Sequence, residues 1–507
     1  MRPVRYVAML SVGASLLTGL AVRASAWENP KAKAPPRAKP QRRSSGEGLP
    51  PLPLPATPLR RSEKKRQPSP PGLVGMINFS EQGFRIVDGE RRRVDAFPTT
   101  QIDIERLIHV ANHRLGVRYR YMPTTLAGFS WDPRELPLLY LTGWTPVPNL
   151  SDAMLQRLRR YLYDGGTLVV HAQCGRQEFV KTARRMIGRV LPDRELAPID
   201  TDSPLLHTHF DVSTMRVRRN HEPFKTMKPY LEAMYLGCRP AVIFSPIDLN
   251  CGWDVVNHPI EGGTLYHQDD AAKLGVNIIA TTLANFEYAR AWGTQKIYHQ
   301  QGERTRDQLV IGQLVHDGDW DPTPHGLPNL MKYVRNNTTL NVQFKREVVD
   351  PAEAKVFEHP VLYMTGLRDF AFSDEQVANL RRYLNSGGVL IADAAAGRKA
   401  FDAAFRREIA RVLPGAELDV LPVDSPVYQM PFAIRKVDYT RLTRANHPAL
   451  NAPTLEGITI DGQLTVVYSS MSLSNGWEEL GFAFARGYSD ADALRIGVNL
   501  LAYAVTH

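Results

Sequence analysis

Cys174 is the residue of this sequence whose type and position best suit nucleophilic chemistry. It follows the short apolar run Thr167–Ala172 and precedes a glycine, which predicts a sharp turn between a strand and a helix. Such a turn near a helix N-terminus favours the thiolate and can present it as a nucleophile. His171 and Cys174 are therefore candidate catalytic residues. A second copy of this segment has Asp393 in place of His171, which makes Asp393 a third candidate, and an alanine in place of Cys174.

A second group of candidate residues is acidic. Asp317, Asp319 and Asp321 alternate along the chain after a predicted strand, and three carboxylates in such a run could bind a hard cation such as calcium. The run lacks the twelve-residue loop and the terminal glutamate of a calcium-binding hand. Aspartates that cap turns explain the same pattern, so a metal site and a structural loop both remain open.

Three cysteines in an oxidising compartment would allow one disulfide and one odd thiol. Cys238 and Cys251 bracket a predicted strand, so a bridge between them requires the following loop to fold back, and the pairing stays open. The sequence contains no Cys-x-x-Cys pair, no glycine-rich phosphate loop, no His-Glu-x-x-His and no Gly-x-Ser-x-Gly motif. We expect no bound cofactor.

The elements that would position these residues occur twice. Residues 151–204 align without a gap on residues 373–426, with 26 identities in 54 positions. Leu-Arg-Arg-Tyr-Leu, Gly-Gly and Val-Leu-Pro recur inside this block, and Gly-Trp and Gly-Val-Asn recur after it. A period of this length indicates duplication of a whole domain.

Strands and helices alternate within each copy. In the second copy the pattern predicts strands over 308–315, 339–344, 361–365, 389–392 and 465–469. It predicts helices over 328–336, 375–386, 398–412 and 491–504. Such alternation is typical of a mainly parallel sheet covered by helices on both faces. We therefore predict an α/β protein with two tandem three-layer α/β/α domains of the flavodoxin-like kind, whose ligands would approach the carboxyl ends of the strands.

The net charge of +10 belongs to the N-terminal segment. Residues 1–72 hold 14 Lys or Arg against 3 Asp or Glu, and the rest of the chain is close to neutral. Residues 27–72 also contain 12 prolines, a composition that favours an extended, solvated linker. This basic arm could instead bind anionic envelope polymers or lipid head groups. Specific nucleic-acid binding is not expected, since neither folded half has a basic excess.

The first 26 residues predict a secretory signal peptide. Two arginines precede an uncharged stretch, and Ala24-Ser25-Ala26 supplies small residues before a cut. We expect the mature chain to be periplasmic or secreted and to contain no transmembrane segment; an uncleaved N-terminal anchor is the alternative. The predicted organisation is a signal peptide over 1–26, a disordered linker over 27–72, domains over 73–293 and 307–507, and a linker over 294–306.

Several motifs of the second copy together resemble one bacterial family, called domain of unknown function 4159. They are Asp319-Trp320, Pro328-Asn329-Leu330, Tyr363-Met364-Thr365-Gly366, Ser373-Asp374, the Leu-Arg-Arg-Tyr-Leu helix, Gly387-Gly388 and Arg398 through Phe401. The resemblance covers nearly all of the second copy and most of the first. It implies a class I glutamine amidotransferase-like fold, often in exported or membrane-attached proteins, without an established activity.

Members of this family commonly have an acidic or cysteine-containing turn after the Gly-Gly strand. The second copy keeps only Asp393 there, and the first keeps Cys174 but has His171. We therefore expect an exported, non-catalytic binding or assembly protein with a cell-envelope partner. The alternative is an extracytoplasmic hydrolase or amidase that uses Cys174 as nucleophile or an acidic metal site in the second domain.

Overall fold

The fold was analysed in a computed structural model of the 507-residue chain. It describes residues 71–78, 83–87, 90–94, 102–125, 130–143, 145–253, 263–292 and 308–506. The predicted signal peptide and the two predicted linkers lie outside these residues, apart from the last two residues of the basic arm. No helix in the described ranges is both long enough and apolar enough to span a bilayer.

The first domain alternates strands with helices, as its sequence predicts. Its strands are β1 (Gly72–Asn78), β2 (Gly83–Val87), β3 (Glu90–Val94), β4 (Arg120–Thr125), β5 (Leu138–Gly143), β6 (Thr167–Ala172), β7 (Ala197–Pro198), β8 (Met215–Arg219), β9 (Lys225–Met227), β10 (Glu232–Leu236), β11 (Arg239–Ser245) and β12 (Thr264–Tyr266). Its helices are α1 (Ile102–Leu115), α2 (Asp152–Tyr163), α3 (Gln177–Val190), α4 (Pro204–His207), α5 (Asn250–Trp253) and α6 (Gln268–Trp292).

The second domain repeats this arrangement. Its strands are β13 (Ile311–Leu314), β14 (Glu347–Val349), β15 (Val361–Gly366), β16 (Val389–Ala394), β17 (Asp419–Val420), β18 (Glu456–Ile460) and β19 (Gln463–Ser469). Its helices are α7 (Gly326–Asn337), α8 (Asp374–Asn385), α9 (Lys399–Val412), α10 (Arg441–Asn446), α11 (Ser474–Glu478) and α12 (Asp490–Thr506).

Each domain is built on its own seven-stranded sheet, and the two sheets have the same strand order. The first is ordered β4-β1-β5-β6-β11-β10-β7 and the second β14-β13-β15-β16-β19-β18-β17. The first five strands of each order pair in parallel, and the last two are added antiparallel. The predictions of domain duplication and of mainly parallel sheets are confirmed.

Each sheet lies between two layers of helices. Alternate residues of β5 and β6 point to opposite faces: Leu138 and Val169 pack with α1 and α6, while Leu139 and Leu168 pack with α2 and α3. In the second domain α7 and α12 cover one face, and α8 and α9 cover the other. The predicted three-layer α/β/α architecture is therefore confirmed.

One predicted strand is wrong. Residues 339–344 alternate apolar and polar, but Val342 forms only an isolated bridge with Leu309, and the edge strand is β14 instead. The alternation has a packing cause, because Val342 is buried in the core and Leu340 and Phe344 lean against it. Burial of alternate side chains thus produces a strand-like sequence pattern, although the backbone of this segment forms only an isolated bridge.

The repeated motifs connect structural elements in the same way in both domains. Arg159 on α2 donates to the carbonyl oxygens of Arg189 and Val190 at the end of α3, and Arg381 on α8 donates likewise to the end of α9. The indole of Trp253 donates to Ala271 at 2.8 Å, and Trp477 repeats this bond at the same length. These identities therefore have a structural role. The arginines satisfy carbonyl groups that helix geometry leaves unpaired, and the tryptophans link two neighbouring elements.

Candidate functional site

The carboxyl ends of β6 and β16 lead into the same tight turn in both domains. Cys174 has φ 51° and ψ 20°, and Ala396 at the equivalent position has φ 52° and ψ 16°. This left-handed conformation is uncommon outside glycine and lifts the residue out of the strand direction. The predicted strand-to-helix turn at Cys174 is therefore observed, and Ala396 shows that the turn forms without a cysteine.

In the first domain this turn faces a carboxylate. Asp248, from the loop after β11, accepts hydrogen bonds from the backbone N–H of Cys174 at 2.5 Å and from that of Cys251 at 2.9 Å. The Cys251 thiol also donates to Asp248, at 3.1 Å. Cys174 and Asp248 are buried, and Cys251 is half-buried. Close packing with the other thiol and the carboxylate, together with burial, raises the pKa of Cys251.

His171 lies on the same strand but is engaged elsewhere. Its Nε2 contacts the Tyr140 hydroxyl, and its Nδ1 lies 3.5 Å from the Thr142 hydroxyl. The ring is fully buried, and burial lowers the pKa of His171 to about 4 although Asp248 opposes the shift. The imidazole is therefore neutral at pH 7, and no hydrogen bond links it to the Cys174 thiol among those of the described residues.

In the second domain the carboxylate is on the strand instead of the loop. Asp393 accepts from the Tyr363 hydroxyl at 2.7 Å, from the Ser474 hydroxyl at 2.8 Å and from the backbone N–H groups of Leu473 and Ser474. The Ser472 hydroxyl is a further donor, at 3.2 Å. With this many donors and no exposed surface, Asp393 fixes the loop after β19 to the strand.

The turn at Ala396 is covered by the first domain. Cys238, in the turn between β10 and β11, packs on Ala395 and Ala396, and its sulfur lies 3.1 Å from the Asn475 side-chain nitrogen. Asn475 in turn accepts from the backbone N–H of Ala396 at 2.6 Å. The edge of the second sheet where a ligand would be expected is thus partly occupied by a contact between the domains. The structure also separates Cys238 from Cys251, and it holds both as free thiols.

The acidic run takes part in the same domain contact. Asp319 lies 3.4 Å from the Arg194 guanidinium of the first domain, and Asp321 is bound by Arg346 through both carboxylate oxygens. Burial raises the pKa of Asp319 to about 6, against the influence of Arg194. Among the described residues, Asp317, Asp319 and Asp321 do not form a cluster close enough to share one ion.

A cleft opens beside this edge of the second domain. It has a volume of about 430 Å³ and is reached by Tyr288 from the last helix of the first domain. The exposed and half-buried part of its walls includes two arginines and two aromatic rings, from Arg441, Arg444, Tyr288 and Phe482, while Tyr439 and Tyr488 are buried. Burial raises the pKa of Asp490, a further wall residue, to about 6. Such a lining suits an anionic ligand that has a ring or another flat apolar face.

The sequence analysis missed the partners of Cys174. Asp248 and Cys251 are three residues apart in the loop after β11, and β11 is the sheet neighbour of β6. Both loops leave the same edge of a parallel sheet, so the signal was their shared position after adjacent strands. Asp248 has no acidic counterpart in the second domain, where Ser472 holds the equivalent position, and the sequence suggests only Cys238 as a partner for Cys251.

The sequence assigns the chain to a family. Residues 89–283 and 310–505 each match the family described as Domain of unknown function (DUF4159). The chain belongs to this family and contains two tandem copies of its domain, as the motif resemblance predicted.

Other comparisons add little. No protein with a curated description matches the chain. A crystal structure of a candidate phosphosugar isomerase from Silicibacter pomeroyi DSS-3 is similar over 64% of this chain and 75% of its own, with 11% identity and a TM-score of 0.14. A similarity this low supports no conclusion about fold or function.

Proposed function

We propose that this chain is an exported, non-catalytic binding or assembly protein of the bacterial cell envelope. The observation that carries the proposal is the turn of the second domain, where Ala396 stands in the nucleophile position and Cys238 of the first domain covers it. A duplicated enzyme needs one complete reactive site. In the first domain Cys174 is 4% exposed, and the neighbouring His171 is hydrogen-bonded to Tyr140.

The cleft beside the second domain supplies a binding surface. Arg444 and the rings of Tyr288 and Phe482 on its walls favour an anionic envelope molecule with a sugar ring or a comparable flat face. The basic arm supports the same class of partner, because Arg60-Arg61 and Lys64-Lys65-Arg66 would be attracted to anionic polymers or lipid head groups.

Binding can be tested by co-sedimentation of the mature chain with purified cell-wall sacculi and, separately, with phosphatidylglycerol vesicles. Arg444→Ala should weaken binding if the cleft holds the ligand, while Arg435→Ala, an exposed arginine of the same domain outside the cleft, should not. Replacement of the five lysines and arginines between residues 60 and 66 by glutamine tests whether the basic arm contributes to binding. Failure of the unaltered chain to bind either material overturns the proposal.

Export is tested by expressing the full chain in a bacterial host and separating the periplasm and culture medium from the cytoplasm. We expect a shortened product outside the cytoplasm. The double substitution Leu16→Arg and Leu17→Arg interrupts the apolar run and should retain the uncut chain in the cytoplasm. A full-length product in the cytoplasm of the unaltered strain would rule out export, and a full-length product in the membrane fraction would support the anchored alternative.

A second candidate function is an extracytoplasmic hydrolase or amidase with Cys174 as nucleophile. The φ of 51° at Cys174 favours it, because nucleophiles of this kind stand on such strained turns. Iodoacetamide labelling followed by mass spectrometry separates the two functions. We expect Cys174 to resist labelling near neutral pH in the folded chain and to label after denaturation. Rapid labelling of folded Cys174 would favour the hydrolase.

A further inference from the structure

We propose that Cys174, Asp248 and Cys251 form a binding site for a thiophilic divalent cation, with zinc as the best match. Their three ligand atoms lie within 4.8 Å of one another, and they form the one such group of three among the described residues. This inference does not depend on the proposed function.

The distances suit a tetrahedral ion. Bonds of about 2.3 Å to sulfur and about 2.0 Å to oxygen place tetrahedral ligands roughly 3.5–3.8 Å apart, so closure from 4.8 Å or less needs shifts of about 1 Å. Two thiolates and one carboxylate match zinc, whereas calcium and magnesium select oxygen ligands. Three protein ligands leave a fourth position open to water or to an external ligand.

The electrostatics of the cluster also favour a cation. Two thiols pack against one carboxylate, and the Cys251 sulfur lies 3.1 Å from an Asp248 oxygen. A divalent cation would offset the negative charge that these three groups carry as ligands. Binding would release one proton from each thiol to solvent and leave two thiolates and the carboxylate on the metal, so the net charge of the site with the cation included stays at −1.

The second domain provides an internal comparison. Its equivalent positions are Ala396, Ser472 and Asn475, none of which is a strong zinc ligand. The same loop geometry nevertheless forms, since Ala396 donates to Asn475 and the backbone N–H of Asn475 donates to Ser472. The turn therefore forms without two cysteines and an aspartate. The geometry of the turn does not explain why these three residues lie together in the first domain.

The third cysteine offers a matched control. Cys238 lies at the contact with the second domain, and its sulfur faces Asn475 rather than an acidic group. It should not contribute to metal binding.

The experiment titrates the reduced, metal-free chain with cobalt(II) and then with zinc. We expect one cobalt per chain, with the absorption of tetrahedral thiolate-bound cobalt, displaced by one zinc. Cys174→Ala and Cys251→Asn introduce the residues that the second domain has, so they should fold, and each should weaken zinc binding at least 100-fold. Asp248→Ser, made on the same logic, should weaken it at least 10-fold, and Cys238→Ser should change it less than threefold.

Three outcomes would overturn the proposal. The first is an unaltered chain that gives no thiolate-bound cobalt spectrum while circular dichroism shows it folded. The second is zinc binding that persists in Cys174→Ala and Cys251→Asn, which would place the ion elsewhere. The third is a chain in which Cys174 and Cys251 form a disulfide in air-saturated buffer even when zinc is present.

Discussion

Cys174 and Ala396 hold the same left-handed backbone conformation at equivalent turns, although one side chain is a thiol and the other a methyl group. The backbone N–H of each residue donates to a side chain of the loop after the neighbouring strand, Asp248 for Cys174 and Asn475 for Ala396. The turn is therefore specified by backbone geometry and by one acceptor, while the reactive side chain is free to differ.

The glycine after Ala396 is expected to be intolerant of substitution. Gly397 has φ 62°, and an added Cβ would lie 2.6 Å from the carbonyl oxygen of Arg486. Gly397→Ala should cost about 2–5 kcal/mol of unfolding free energy, from backbone strain and overpacking together. Gly415→Ala is the control, since Gly415 has φ 83° and open space around it, and it should cost about 1–2 kcal/mol. Urea denaturation measures both, and equal costs would contradict the steric argument.

Asp202 is expected to stabilise the contact between the domains. It lies 3.4 Å from the buried Arg398 guanidinium and accepts from the backbone N–H of Lys399 at 2.9 Å. Asp202→Ala removes a carboxylate that pairs with the buried Arg398 charge, and it should cost about 3 kcal/mol of unfolding free energy. Calorimetry should then show the two domains melting separately. Glu287→Ala removes an exposed ion pair with Arg290 and should cost less than about 0.5 kcal/mol. A single unshifted transition for Asp202→Ala would refute the expectation.

Asn277 and Asn499 explain why Gly-Val-Asn is repeated. Asn499 is fully buried, accepts from the backbone N–H of Phe432 and donates to the carbonyl oxygens of Val427 and Phe432. Asn499→Ala leaves these groups unpaired and should cost about 2–4 kcal/mol. The equivalent Asn277→Ala should cost a similar amount.

The control for this pair is Asn337→Ala, which removes one exposed hydrogen bond to Tyr333 and should change stability by less than about 0.5 kcal/mol. Equal effects of Asn499→Ala and Asn337→Ala on the denaturation midpoint would show that the buried network contributes little.

The stability of the protein should fall in mild acid. His316 donates from Nε2 to the carbonyl oxygen of Thr365 and accepts at Nδ1 from the backbone N–H of Gly318, which fixes the neutral ring. Burial lowers the pKa of His316 to about 4, below the ordinary value of 6.5. As the pH falls, the unfolded chain therefore binds a proton at this histidine at a higher pH than the folded chain does. The stabilisation is fully present above pH 6.5 and is lost as the pH falls towards 4. This one group should account for about 3 kcal/mol.

The measurement is the unfolding free energy between pH 4 and 7. His316→Gln should be less stable at pH 7 but should lose less stability on acidification than the unaltered chain. His109→Gln, which replaces an exposed histidine of α1, should leave the pH dependence unchanged. A pH dependence that is the same in all three proteins would contradict the assignment.

The sequence by itself determined the duplication, the layered α/β fold and the position of Cys174 on a turn. These features depend on local patterns: helical spacing of apolar residues, buried strand runs and Gly-Gly after a helix. The start of α8 is also fixed locally, since the Ser373 and Gln376 side chains each accept a hydrogen bond from the other's backbone N–H.

Only the tertiary structure decided which side chains meet. Asp248 lies 74 residues from Cys174, and Cys238 reaches Asn475 across 237 residues. Such contacts depend on the order of strands in the sheet and on the docking of the two domains, neither of which leaves a periodic signal in the chain. Because burial and long-range charge then set the protonation of Cys251 and His171, the chemistry of the site followed from packing rather than from residue type alone.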